Sequence, residues 1–258
     1  SGSGPMIWRL LRDLCYDHGF DVNVEPYTHK LAIMAIKGPN SEAVLKSAGL
    51  SKSDVTIGSA ISTTVRDCAV LLWHCGQNNW EVHVDANKAL PVYEHLFECG
   101  KDLGLLNAGY RALDVDSLER GECAWHYDLR SDDTPLEAGL LPRVEPGCHN
   151  SNQRRNFLGY EQLLCQQNQG VTKTRVMLQL TREGNLCGLE GIVRDGHLVG
   201  SLRRAGHSYL TNSNLGIGYI RHHQQQPLTW SQLKESTWEV EIMGQRVPAS
   251  LYNPQQPL

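Results

Sequence analysis

Asn107-Ala-Gly-Tyr-Arg-Ala-Leu-Asp114 and, shortly after it, Trp125-His-Tyr-Asp-Leu-Arg-Ser-Asp-Asp-Thr-Pro-Leu-Glu-Ala-Gly-Leu140 are the stretches on which the reading of this chain turns. The first opens a helix expected from about Ala108 to Arg120, since Gly121 behind it can take the left-handed conformation that closes helices. Arg111 and Asp114 are three residues apart, the spacing of a weak ion pair on a helix surface. Arg111 and Glu119 lie two turns apart and can face one side. In the second stretch Asp128 suits the capping of the turn that follows it at least as well as contact with a ligand.

Upstream, Ile7, Leu10, Leu11 and Leu14 fall at i, i+3, i+4 and i+7, an amphipathic helix that stops near Gly19. Leu31–Ile36 is a short continuous apolar run, expected to be a buried strand. Gly38-Pro39 then makes a turn, and Asn40 or Ser41 can cap a helix carrying Val44 and Leu45. Strands are expected around Cys68–His74 and over Trp80–Val84. The second alternates, so Glu81 and His83 share one face and Val82 and Val84 the other. Pro91 suits the first turn of a helix ending near Lys101, with Val92, Tyr93, Leu96 and Phe97 as its apolar face. Strand and helix alternating with antiparallel-style strands indicate an α+β architecture.

Residues 143–170 are polar and rich in Gln and Asn, a crossing between modules. From Lys173 the texture turns to β: Arg175–Leu180, Gly188–Val193, His197–Leu202, Gly216–Arg221 and Thr237–Ile242, spaced as in a small barrel. Asp195-Gly196 signals a two-residue hairpin. Strict alternation would send one of Arg203 and Arg204 inward and the other outward, both in a structural role. The expected division is therefore a linker or tag remnant over 1–5, an α+β region over 6–150, a connector over 151–170 and a C-terminal β-barrel over 171–258.

Composition narrows the function class. The 258 residues carry 24 Lys and Arg against 28 Asp and Glu, and no basic run exceeds Arg154-Arg155 or Arg203-Arg204, which argues against binding to nucleic acid or an anionic membrane surface. No apolar run approaches the ~20 residues of a membrane-spanning helix; the longest, Ala69–Trp73, is strand-sized. Eight cysteines show neither CxxC pairing nor zinc spacing and are expected to be reduced, mostly buried thiols of an intracellular or organellar protein. His222-His223 lacks a third ligand at a helpful spacing, so no metal is assigned. Cys123 and Cys148 have no base partner, and the Ser-Gly-Ser-Gly-Pro5 start reads as neither a signal nor a transit peptide.

The two opening stretches resemble the signature of the folate-binding aminomethyltransferase family, that of the glycine-cleavage T-protein, and most of all the C-terminal region of sarcosine and dimethylglycine dehydrogenase-like proteins. There the pattern is approximately NAGYRAIDSL…HWHADLRPDDSPLEAGL. The likeness runs from about Ile7 to Pro254, densest over 107–140 and good again over Gly188–Ala205. It implies an antiparallel-sheet folate-binding region followed by a small barrel, tetrahydrofolate as cofactor, and a mitochondrial matrix location. The implied reaction passes a one-carbon unit from an oxidised N-methyl amine to tetrahydrofolate, so the partners are small molecules and not nucleic acid or membrane. By the same resemblance FAD belongs to a domain upstream, as does the family's catalytic aspartate, and the catalytic residue is left unassigned.

For the site, the resemblance makes Glu81 a pterin contact, a role a carboxylate suits because it accepts two parallel N–H bonds; the alternative is a solvent-facing strand glutamate. Gly76-Gln-Asn-Asn-Trp-Glu81 departs from the family, with Gln77 for the first acid and Asn79 for the glycine, although Asn tolerates positive φ. Arg111 matches the family arginine beside the substrate, where a guanidinium can hold an anionic end. Tyr110 shapes the same pocket or simply packs, and Glu119 matches a family glutamate on the same helix. Val115 stands for a serine and Ala124 for a histidine. The other reading is a non-catalytic regulatory or scaffold relative, of the pyruvate dehydrogenase phosphatase regulatory subunit kind, with a protein partner.

Overall fold

Helix α1 (Gly4–His18) sets its apolar stripe of Met6, Ile7, Leu10 and Leu11 toward solvent, and none of its residues is buried. It begins at Gly4, inside the span expected as a linker remnant. The computed structural model describes residues 4–50, 55–140, 157–222 and 224–254; Cys148 and His223 lie outside them. The chain forms two compact units, Ser1–Ala108 and Gly109–Leu258.

In the first unit, β1 (Leu31–Lys37), β2 (Ala60–Val65), β3 (Cys68–Gly76) and β4 (Asn79–Asp85) form an antiparallel sheet in the order β1-β4-β3-β2. Helices α2 (Ser41–Ser47) and α3 (Ala89–Gly100) accompany it. The period of two sorts each strand. Val70 and Leu72 of β3 and Trp80, Val82 and Val84 of β4 are buried with Leu45, Val92 and Leu96. Alternate residues, Glu81 and His83 among them, form the opposite face.

Several sequence expectations are corrected here. Leu31–Ile36 is an edge strand, not a buried one: Ile33 is 58% exposed and, within β1, Ile36 alone is buried. In the β3–β4 turn the residue with positive φ is Asn78, at 54°, while Asn79 already belongs to β4. Asn40 precedes α2 without capping it by its side chain, and its Nδ2 instead donates to the Leu103 carbonyl at 3.0 Å.

The second unit holds α4 (Tyr110–Glu119), α5 (Tyr160–Gln169), β5 (Lys173–Leu180), β6 (Gly191–Arg194), β7 (His197–Ser208), β8 (Ser213–Arg221), α6 (Trp230–Glu235), β9 (Trp238–Ile242) and β10 (Gln245–Leu251). The six strands close into a barrel in the order β10-β5-β8-β7-β6-β9. Val176, Leu178, Ile192, Leu202, Ile220 and Val240 fill its core. Asp195 and Gly196, at φ 49° and 81°, turn β6 into β7 as a primed two-residue hairpin does. Helix α5 occupies part of the expected connector.

Closure depends on backbones that approach each other without side chains between them. A Cβ at Gly200 would lie 1.9 Å from the Tyr219 carbonyl oxygen, and one at Gly218 would lie 2.4 Å from that of Ser201. Both contacts are backbone, so no rotamer change relieves them. Gly200→Ala is expected to cost at least about 2 kcal/mol, seen as a lowered midpoint in urea unfolding of the full chain, whereas Ala at the open Gly109 position should leave the midpoint almost unchanged.

Candidate functional site

Glu81 sits on the face of the first unit's sheet opposite the core, as the alternation of β4 requires. Its Oε2 lies 2.8 Å from Nε2 of His83, the next residue on that face. Across the sheet, Glu81 is opposite Ala35 of β1 and Trp73 of β3. The Trp73 ring meets the His83 ring edge-on, with centroids 6.2 Å apart. The Cys75 thiol is close by: burial pushes its pKa up, and so does the Glu81 charge, against a smaller opposing pull from Lys37. Glu81 is thus neither a freely solvated surface acid nor a buried one. A carboxylate has about four acceptor positions, so the His83 contact leaves room for a ligand with two parallel N–H donors.

The other three predicted residues lie in the second unit, on α4. Tyr110 is 88% exposed, so the packed-aromatic alternative fails. Arg111 is also exposed and makes no ion pair with Asp114 among the described residues. Glu119 is committed elsewhere: its Oε1 accepts from the Ser208 hydroxyl at 2.7 Å and from the Leu210 N–H at 3.1 Å, bracing the β7–β8 turn. Its carbonyl accepts from the Tyr252 hydroxyl at 3.2 Å.

The sequence reading missed the most strongly charged cluster of the second unit. The side chain of Asp133 is 1% exposed and takes Lys173 Nζ at 2.5 Å. It also takes a two-pronged contact from Arg203, whose Nη2 is 3.0 Å away. The Arg130 N–H adds a third donor at 2.8 Å. Asp128, fully buried, binds Arg204 with both oxygens, at 2.8 and 3.1 Å, and accepts the Ala124 N–H at 2.9 Å. Asp128 therefore fastens an arginine and the amide of Ala124, four residues before it, rather than capping the turn that follows it. Arg203 and Arg204 do not point to opposite sides of the barrel wall: a bulge between Leu202 and Arg204 breaks the alternation, and both guanidinium groups are about 90% buried. The face of Tyr219 lies under Arg203, 3.9 Å from the guanidinium carbon. Two adjacent arginines on a barrel strand were the available signal.

An antiparallel sheet with two helices, a signature segment held by buried acids, and a closed barrel together define an aminomethyltransferase-type fold. The description "GCVT N-terminal domain" matches residues 3–145, and "Glycine cleavage T-protein C-terminal barrel domain" matches residues 173–255. The chain belongs to the glycine cleavage T-protein family. It is 33% identical over 253 residues to the mitochondrial sarcosine dehydrogenase of Mus musculus, covering 95% of this chain and 27% of that protein. It is 26% identical over 265 residues to the mitochondrial dimethylglycine dehydrogenase of Mus musculus, covering 100% of this chain and 29% of that protein. The chain thus spans under a third of these relatives. The crystal structure of glycine cleavage system aminomethyltransferase T from Bartonella henselae shares the fold, with a TM-score of 0.77 at 19% identity over 98% of this chain and 65% of that one.

Burial alone would raise the pKa of Asp133, but hydrogen bonds from Arg203, Lys173 and the Arg130 amide override it and hold the carboxyl well below the carboxylate range. A carboxyl with a folded pKa below its unfolded value of about 4 stabilises the fold above that pH, and loses the contribution as pH falls below it. Asp133→Asn leaves Arg203 buried without its counter-charge and Lys173 with only the more distant Glu137 and Asp132, at an expected cost of about 3–5 kcal/mol. Urea unfolding at neutral pH and near pH 3 should show that gap narrowing in acid.

Proposed function

We propose that this chain is the tetrahydrofolate-binding region of a sarcosine or dimethylglycine dehydrogenase-like protein, with the folate-binding part over 6–150 and the barrel over 171–258. The carbon unit would come from an oxidised N-methyl amine and leave as methylene-tetrahydrofolate; the oxidation itself, with FAD, is assigned to a domain outside this chain. The observation that carries the reading is the partly buried Glu81 carboxylate, 2.8 Å from His83, on the sheet of the family-matched region. Such a carboxylate fits the 2-amino and N3–H edge of a pterin.

Bound tetrahydrofolate supplies the nitrogens that take up the carbon. The chain's own residues bind and orient it. Glu81 receives the pterin edge. Arg111, exposed and without an ion-pair partner among the described residues, is available to an anionic group. Tyr110 offers an exposed ring beside it, and Glu119 contributes by fixing the β7–β8 turn. A mitochondrial location is proposed because the similar dehydrogenases are described as mitochondrial.

Calorimetric titration of the full chain with 5-formyltetrahydrofolate tests the reading. Micromolar binding is expected, weakened at least tenfold by Glu81→Ala and by Arg111→Ala, roughly the loss of one charge-assisted contact. A folded chain that does not bind would favour the regulatory or scaffold alternative instead.

A further inference from the structure

His83, the neighbour of Glu81 on β4, occupies a specific position. Residues two apart on a strand share a face, so Glu81 and His83 stand side by side on β4. In register, His83 is flanked by Ile33 of β1 and Leu71 of β3, both large. Glu81 is flanked by Ala35 and Trp73, so one of its neighbours is small. The imidazole is accordingly the more deeply set of the two, with 16% of its side chain exposed against 28% for Glu81. Trp73 closes on the imidazole edge-on.

We infer that His83 is a positioning residue for ligand recognition: its Nε2–H donates to Oε2 of Glu81 and holds the carboxylate ready for a heterocycle edge that offers two parallel N–H donors. The inference rests on the proposed folate reading and deepens it. An ionised carboxylate can only accept, so the imidazole nitrogen is the donor. A glutamate on an open sheet face otherwise has three torsions to immobilise when ligand arrives, and a neighbour that fixes them beforehand removes that cost from binding. His83 does not touch the ligand. Its effect passes through Glu81.

The test is titration of the full chain with 5-formyltetrahydrofolate for wild type, Glu81→Gln, His83→Phe, His83→Gln and His83→Asn, each with its thermal unfolding midpoint. His83→Phe keeps a flat ring and removes the donor; His83→Gln keeps an N–H donor of similar reach; His83→Asn has a donor on a shorter side chain. The expected result is an affinity loss of about fivefold for His83→Phe and His83→Asn, with recovery to within about twofold of wild type for His83→Gln, at unchanged unfolding midpoints. Phe-like weakness in His83→Gln at an unchanged midpoint overturns the donor role. Wild-type affinity in His83→Phe, with binding lost in Glu81→Gln, overturns the role of His83 and leaves the folate reading standing. Absence of binding by folded wild type overturns both.

Discussion

Much of the second unit depends on one buried carboxylate. Asp133 lies between Lys173 at the start of β5 and Arg203 on β7, and through them joins the segment after α4 to two strands of the barrel. Two cations and an acid without water would be costly to assemble singly, and removing one member of such a set is worse than never having had it. The arrangement succeeds because nearly every partner is supplied. The Arg130 N–H completes Asp133, the Asp128 carbonyl accepts from Nη1 of Arg203, the nitrogen that also meets Asp133, and Glu137 lies 3.6 Å from Lys173. Arg204 repeats the pattern with Asp128 and extends it to Ser117 of α4 and the Glu122 carbonyl.

That network ties together two separated parts of the sequence. The segment around 125–140 supplies the acids, and the segment around 188–205 supplies the two arginines. Neither can be buried without the other. Tyr219 beneath Arg203 belongs to the same assembly; burial first, and then the charge of Asp133, raise its pKa, so it remains a neutral phenol against which the guanidinium can lie. Part of the stretch matched as the N-terminal family domain is therefore fastened to the barrel within one compact unit.

What the sequence disclosed follows from local physics. Alternation identified β4 and its two faces, helical spacing identified α1 and α3, and Asp195-Gly196 marked its hairpin. What it concealed required distant or unusual partners. Strand β2 is polar through Ser62, Thr63 and Thr64, and its turn into β3 uses Arg66 and Asp67 at positive φ, without the glycine or asparagine that usually signals such a turn. Strand β10 contains Pro248, which argues against a strand until a barrel position tolerates it. The bulge at Arg203 is invisible to any strict period of two. Glu119 looked like half of a ligand site because helical spacing relates it to Arg111, but its partners Ser208 and Leu210 lie 89 and 91 residues away.

The acids differ in how fully they are partnered. Asp128 and Asp133 are each held by several donors from their own unit, and Glu119 gives one oxygen to Ser208 and Leu210, so these acids hold shape. Glu81 differs in the amount of satisfaction it receives. One side-chain nitrogen holds one of its oxygens, and the alanine across β1 leaves its flank low. A surface acid with no partner would be mobile and well hydrated, and would give up much of its hydration and freedom on binding. A fully partnered acid would have nothing left to offer. Glu81 stands between these limits, which is the condition for a carboxylate to recognise a ligand edge without first being rearranged.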